Sequence, residues 1–200
     1  MEIILASASP RRSYLLKQIN LNFTVSPSDI EEVMDDSMNP KELVQSLALQ
    51  KGESVLQQHP NSFIIAADTI VSLNGSYLGK PQNKDDAKEM LARMSDQTHE
   101  VYSGVYLALT HQNGTLIKHR TFSEETKVTF GALEKSEIER YVSTGSPMDK
   151  AGSYGIQDDF GAVFVKKING DYNNVVGFPL FKFYDQVKLH FPNVFKQLFY

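Results

Sequence analysis

Three stretches of this chain gather side chains that can handle a charged anion. The first is Ser7-Ala8-Ser9-Pro10-Arg11-Arg12, which follows the apolar run from Ile3 to Ala6. Ser9 is a good N-cap and Pro10 suits the first helical position, so a helix is predicted to start there. Arg11 and Arg12 then fall in its first turn, where free N–H groups and the helix dipole favour anions over cations. Such a conflict is expected where function overrides propensity. With the hydroxyls of Ser7 and Ser9, the two guanidinium forks and free amides suit a multiply charged anion. The other reading sends both arginines into water or onto a nearby acidic loop.

The second stretch centres on Asp68, which follows the apolar run Phe63 to Ala67. Strand ends in α/β sheets open into the ligand crevice, and a carboxylate there can bind a divalent metal or accept a proton. Asp68-Thr69 also fits an Asx-type turn leading into another strand. The loop from Ser26 to Asn39 adds Asp29, Glu31, Glu32, Asp35 and Asp36. Most of these read as solvated surface, but one carboxylate returning towards Asp68 would complete a Mg²⁺ site. Lys51 sits on a long helix, by default as a snorkelling surface residue, and Lys80 is held between Gly79 and Pro81.

The third stretch runs from Gly145 to Gln157, where small residues surround Asp149, Lys150 and Tyr154. Its glycines permit close backbone approach to a ligand, and Gln157 offers a planar base both a donor and an acceptor. An irregular loop packed by Tyr154 and Ile156 is the plainer alternative. Walker A, GxGxxG, HxxxH, HExxH and G-x-S-x-G patterns are all missing from the sequence. Their loss argues against P-loop kinases, Rossmann dehydrogenases, His-based metal sites and serine hydrolases of the nucleophile-elbow type.

The elements that must position these residues belong to a chain of 200 residues with 20 basic and 24 acidic side chains, a formal charge of −4. Without cysteine there is no disulfide framework, Cys-rich zinc site or Fe–S cluster. A pI near 5.7 gives no overall field to hold a nucleic-acid polymer. The N-terminal apolar run is too short for a signal peptide, and its arginines follow rather than precede it. No window is apolar enough to cross a membrane, so a cytoplasmic protein is expected.

Strands are predicted at Ile3–Ala6, Leu21–Val25 and Phe63–Ala67, then a hairpin of Ile70–Leu73 and Tyr77-Leu78 around Asn74-Gly75. Thr98–Leu109 and Leu116–Phe130 form a second antiparallel pair around Asn113-Gly114, and Gly161–Ile168 a last strand. The first helix presents Tyr14, Leu15, Leu16 and Ile19. Asn39-Pro40 opens a helix to about Gln58 that buries Leu43, Leu47 and Val55. Further helices are predicted at Asp85–Met94 after an Asn83 cap, Glu134–Val142 before Gly145, and Pro179–His190 with Tyr184, Val187 and Leu189 packing. Phe191, Val194, Phe195, Leu198 and Phe199 of the tail are expected to pack on the core. The pattern predicts one α/β domain over residues 1–200, a mixed twisted sheet flanked by helices.

Six motifs then occur in order: SASPRR at 7–12, ADT at 67–69, GKP at 79–81, DKAG at 149–152, YGIQ at 154–157 and NVVGFPL at 174–180. In this combination the chain resembles the Maf family of nucleoside triphosphate pyrophosphatases, also called septum formation inhibitors. The resemblance implies an inosine-triphosphate-pyrophosphatase-like fold, two lobes around a cleft and a homodimer. It implies hydrolysis of a nucleoside triphosphate to the monophosphate and pyrophosphate with a divalent cation, Mg²⁺ or Mn²⁺. By motif, Asp68 matches the proton acceptor, and Arg11, Thr69 and Gln157 match positions that select the base. Ser7, Arg12, Glu32, Lys51 and Lys80 match other active-site positions. The YGIQ form resembles the branch acting on dTTP and UTP rather than on 7-methyl-GTP. One departure follows it: the usual Gly-Ile-Gln-Gly-x-Gly-Ala appears as Gly155-Ile156-Gln157-Asp158-Asp159-Phe160-Gly161-Ala162.

Resemblance and residue chemistry together give an expected site. Glu32 and Asp68 hold the metal, while Ser7, Ser9, Arg12, Lys51 and Lys80 bind phosphate and Arg11 adds charge. Gln157 pairs with the O4 and N3–H edge of a uracil-like ring. Cytosine presents the opposite pattern, so weak turnover of CTP is expected. The rival readings are a nucleotide-binding regulator of cell division without turnover, and a pyrophosphatase directed at purine triphosphates.

Overall fold

A computed structural model of the chain describes residues 1–35, 37–157 and 160–200. Asp36 of the acidic loop, and Asp158 and Asp159 of the departure after Gln157, lie outside the described residues. In chain order the elements are β1 (Glu2–Leu5), α1 (Pro10–Gln18), β2 (Thr24–Val25), α2 (Pro40–Glu53), β3 (Ser62–Leu73), β4 (Ser76–Leu78) and α3 (Lys84–Met94). They continue with β5 (Thr98–Thr110), β6 (Leu116–Phe130), α4 (Lys135–Ser143), β7 (Val165–Asn169), α5 (Tyr172–Val176), α6 (Leu180–His190) and α7 (Pro192–Phe199). Among the described residues the strands form one seven-stranded sheet in the order β2-β1-β3-β5-β6-β7, with β4 paired to β3. The sheet is mixed: β1 pairs in parallel with β2 and β3, while β3–β4 and β6–β7 are antiparallel. This is the expected α/β class. Among the described residues, no helix is long and apolar enough to cross a membrane.

Local signals set most of these boundaries. Asn39 caps α2 by accepting from the amides of Lys41 and Glu42, and Glu42 closes the capping box. Asn83 caps α3 in the same way. Asn74 and Gly75 both have positive φ, as a two-residue type I′ hairpin requires.

Several elements depart from expectation. β3 does not stop at Asp68 but runs unbroken to Leu73, which removes the Asx-turn reading. Buried residues on both sides of Asp68-Thr69 keep the strand in the sheet across the polar pair. β2 is only Thr24–Val25, and α2 ends at Glu53, with a separate 3-10 turn at Leu56–Gln58. Phe160–Phe164 is a 3-10 turn rather than strand, because pairing with β6 begins only at Val165. Tyr14 and Leu189 are exposed, and Phe183 takes the buried position on α6. The tail packs inward as expected: Phe191, Val194 and Phe195 are buried, and Phe191 meets Phe63 edge to face.

The chain divides into two compact units. The first comprises Met1–Asp68, Ser103–Glu124 and Gly177–Tyr200. Its core alternates along the strands, with Ile4 and Ala6, Ile64 and Ala66, and Tyr106 and Ala108 packing with Ala48 and Val55. Helix α2 lies close on β5: a Cβ at Gly104 would stand 2.0 Å from the Val44 carbonyl oxygen, and one at Gly52 would meet the Tyr106 ring. That close seating fixes the helix turn carrying Lys51.

The second unit comprises Thr69–Tyr102 and Glu125–Val176. Phe130, Tyr141, Tyr154, Phe164 and His99 meet edge to face in its core. His99 is fully buried, and burial pushes its pKa down to about 4 from the ordinary 6.5. The unfolded chain therefore binds a proton at His99 before the native state does. Native stability from this residue is complete above pH 6.5 and falls as the pH drops towards 4, by about 3 kcal/mol in all. Urea unfolding at pH 7 and pH 4.5 should show this loss, and His99→Gln, with a more easily tolerated neutral side chain, should show a smaller one.

Candidate active site

The first unit carries most of the expected residues. Strand β1 ends at Leu5, and the Ala6 amide still donates to the Ile65 carbonyl at 2.8 Å. The chain then turns through Ser7 to Ser9 into α1, while β3 runs on to Asp68. Ser7 to Ser9 thus follow the C-terminal end of the parallel strand β1, where α/β folds commonly bind ligands.

Arg12 is buried there and firmly held. Its Nη1 donates to Ser7 Oγ at 2.9 Å and its Nε to the Gly177 carbonyl at 3.1 Å. Gly177 has a φ of 131°, in the region that favours glycine, which gives the NVVGFPL motif a role in holding Arg12. Ser7 Oγ also accepts from the Ser9 amide, and Ser9 Oγ caps the Arg12 amide at 3.5 Å. Burial lowers the Arg12 pKa from its ordinary value; Asp68 opposes that, Arg11 adds to it and Glu32 opposes it. The guanidinium stays charged, since arginine does not deprotonate in proteins. The buried guanidinium is thus a permanent cation under the electrostatic influence of Asp68 and Glu32.

Lys51 joins the carboxylates. Its Nζ lies 3.0 Å from Glu32 Oε1 and forms a short ion pair with Asp68 Oδ1. Glu32 reaches it because Gln50, the preceding residue, binds the loop in both directions: the Val33 amide donates to its Oε1 at 2.9 Å and its Nε2 donates to the Val33 carbonyl at 3.0 Å. A Ser54–Ser28 hydroxyl pair tethers the same loop. Asp29, Glu31 and Asp35 are exposed, as a solvated loop requires. Gln50 is a positioning residue that no sequence spacing marks.

Thr69, Lys80 and Gln157 belong to the second unit. Thr69 and Gln157 are half-buried and Lys80 is exposed. The Gly152 amide donates to the Gly79 carbonyl at 3.0 Å, tying the DKAG loop to the GKP turn. Gly152 has a φ of 68°, and a Cβ there would press on Val71 of β3. Lys150 is buried and donates to the Ser146 carbonyl at 2.6 Å and to Asp149 at 2.9 Å, so it braces the loop from within.

The donor chemistry fits a divalent cation. Among the described residues no group of three or more His, Cys, Asp or Glu side chains gathers in one place. Two carboxylates converging on one cationic group are nevertheless what Mg²⁺ uses when water and substrate phosphates supply its other ligands. The Lys51 ammonium shows that Glu32 and Asp68 can share a cation.

The family model described as Maf-like protein matches residues 2–189. The chain belongs to the Maf-like family. It is 50% identical over 188 residues to the dTTP/UTP pyrophosphatase of Halalkalibacterium halodurans, covering 94% of this chain and 95% of that protein. The Lachnoclostridium phytofermentans protein of the same name is 42% identical, covering 98% of this chain and 99% of its own length. Among solved structures, the Staphylococcus aureus Ham1 protein is similar at 16% identity and a TM-score of 0.42, over 65% of this chain and 72% of that one. Ser7, Ser9, Arg11, Arg12, Glu32, Lys51 and Asp68 lie in the first unit, and Thr69, Lys80 and Gln157 in the second.

Proposed function

We propose that this chain is a hydrolase that converts dTTP and UTP to the monophosphate and pyrophosphate. The observation that carries the reading is the Lys51 ammonium shared by Glu32 and Asp68 beside the buried, charged Arg12. The names of its Maf-like relatives support the substrate class.

Each group has a defined task. Glu32 and Asp68 would hold Mg²⁺ or Mn²⁺, which would supply positive charge to the triphosphate when bound. Arg12, fixed by Ser7 and Gly177, presents its guanidinium to phosphate without reorganising, and Arg11 and Lys80 add charge. Ser7 and Ser9 hold the turn that carries the arginines. Lys51 keeps the two carboxylates close and donates to phosphate when substrate arrives. The Asp68 carboxylate accepts a proton from water as the water oxygen bonds to the α-phosphorus. The bond from that phosphorus to the bridging oxygen breaks, and pyrophosphate leaves with the electron pair. Reactions of this kind depend on positioning and charge stabilisation, which these residues provide.

Thr69 and Gln157 set base choice. The Gln157 carboxamide donates to O4 and accepts from N3–H of thymine or uracil, a pattern that cytosine reverses. With pyrophosphate detection, a panel of dTTP, UTP, CTP, ITP and 7-methyl-GTP should show kcat/KM highest for dTTP and UTP, with CTP lower by about 10²-fold or more, because a site that hydrogen-bonds a substrate strongly rejects a mismatched analogue. Equal turnover of CTP and UTP would sink the Gln157 assignment. On the family resemblance, we place the enzyme in the cytoplasm as a homodimer.

A further inference from the structure

Tyr154 opens the motif that ends in Gln157, and its hydroxyl lies 2.8 Å from His99 Nε2. His99 comes from β5, and its side chain is wholly inside the second unit. The ring centroids of His99, Phe130 and Tyr154 lie 4.8 to 5.3 Å apart, with their planes nearly perpendicular. Only one polar bond links this trio, because His99 Nδ1 has no hydrogen-bond partner. An unpartnered buried nitrogen costs stability, and phenylalanine at both positions would pack such a cluster without that cost. The imidazole–phenol bond therefore contributes something that packing alone does not require.

What it contributes is a fixed backbone. The residue before Tyr154, Ser153, has a positive φ, and Gly152 is tied to Gly79. The residue after it, Gly155, donates its amide to the Tyr141 hydroxyl at 3.2 Å. Beyond the departure, Gly161 also lies close to that hydroxyl, and Phe160 meets Phe164 edge to face with the Arg140 guanidinium over the Phe160 ring. Ile156 is buried, and Gln157 is the next residue. Residues 152–156 are thus gripped at successive positions, with Gln157 as the first half-exposed side chain. The His99–Tyr154 bond is the one hydrogen bond in this grip made by the side chain of the motif itself.

We infer that His99 is a positioning residue for base selection: through the Tyr154 hydroxyl it fixes the backbone from which Gln157 reaches the pyrimidine edge. The inference rests on the assignment of Gln157 as base reader. Both partners are neutral near pH 7, since burial pushes the His99 pKa down to about 4 and the Tyr154 pKa up. The bond is therefore a permanent fixture at that pH rather than a switch.

The test compares His99→Phe, Tyr154→Phe, His99→Gln and Gln157→Ala, with folding checked by thermal melting and circular dichroism. His99→Phe and Tyr154→Phe should keep kcat for dTTP within about 3-fold of the parent. KM for dTTP and UTP should rise about 10-fold, and the preference for UTP over CTP should fall by a similar factor, the size of one hydrogen bond's loss of orientation. The double variant should be no worse than either single one. His99→Gln, whose Nε2 can occupy the place of the imidazole Nε2, should restore the preference. If both phenylalanine variants melt like the parent and keep its UTP-to-CTP ratio while Gln157→Ala loses it, the positioning role is overturned and base reading stands. If Gln157→Ala itself keeps the ratio, the base-reader assignment fails and this inference with it.

Discussion

Asp68→Asn should lower kcat for dTTP hydrolysis by about 10³-fold or more, at saturating Mg²⁺ or Mn²⁺. General-base catalysis alone is worth about 10² to 10⁴. Asparagine keeps the shape of the side chain but cannot take the water proton, and it removes one of the two negative charges that meet at Lys51. The residue sits mid-strand in β3 with a side chain 14% exposed, and the ladder on either side of it is made by backbone groups. The variant should therefore melt within a few degrees of the parent. Retained pyrophosphate release by a folded Asp68→Asn protein would remove Asp68 from the chemistry.

Arg12 should be the next most sensitive position, and the informative change is Arg12→Lys. Lysine keeps the charge but not the planar fork that bonds Ser7 Oγ and the Gly177 carbonyl together. Loss of one preorganised donor to a developing charge typically costs about 10² to 10³ in rate. We expect kcat/KM for dTTP to fall by about 10²-fold in Arg12→Lys, with KM raised and kcat lowered. Arg12→Ala should fall further and lose stability, because the bonds to Ser7 Oγ and the Gly177 carbonyl go with the guanidinium, at about 1 kcal/mol each. A steady-state profile unchanged by Arg12→Lys would reduce Arg12 to a strut between α1 and the Gly177 turn.

Local signals were legible in the sequence where the physics is local. The Ser9-Pro10, Asn39-Pro40 and Asn83 caps, the Asn74-Gly75 turn and the two long strands β5 and β6 appear where propensity and periodicity place them. The cationic turn at Arg11-Arg12 stood out because it contradicts the helix dipole. Asp68 was found by its charge after an apolar run, but its place in mid-strand was not, since a polar pair looks like a strand end whether or not the ladder continues. The return of Glu32 to Asp68 was invisible because it depends on the Gln50 amide gripping Val33, 17 residues away, with no periodic signature. The Arg12–Gly177 bond spans 165 residues, and only the glycine's unusual φ explains its motif. His99 carries no sequence signal of its Tyr154 partner, which lies 55 residues away.

Water should attack the α-phosphorus of a pyrimidine triphosphate in this protein. Single-turnover hydrolysis of dTTP in ¹⁸O-labelled water, with both products analysed by mass spectrometry, tests it most directly. Each dTTP should give one dTMP and one pyrophosphate, with the label in dTMP alone. Label in pyrophosphate, release of dTDP with inorganic phosphate, or no turnover by the folded metal-supplied protein would contradict it.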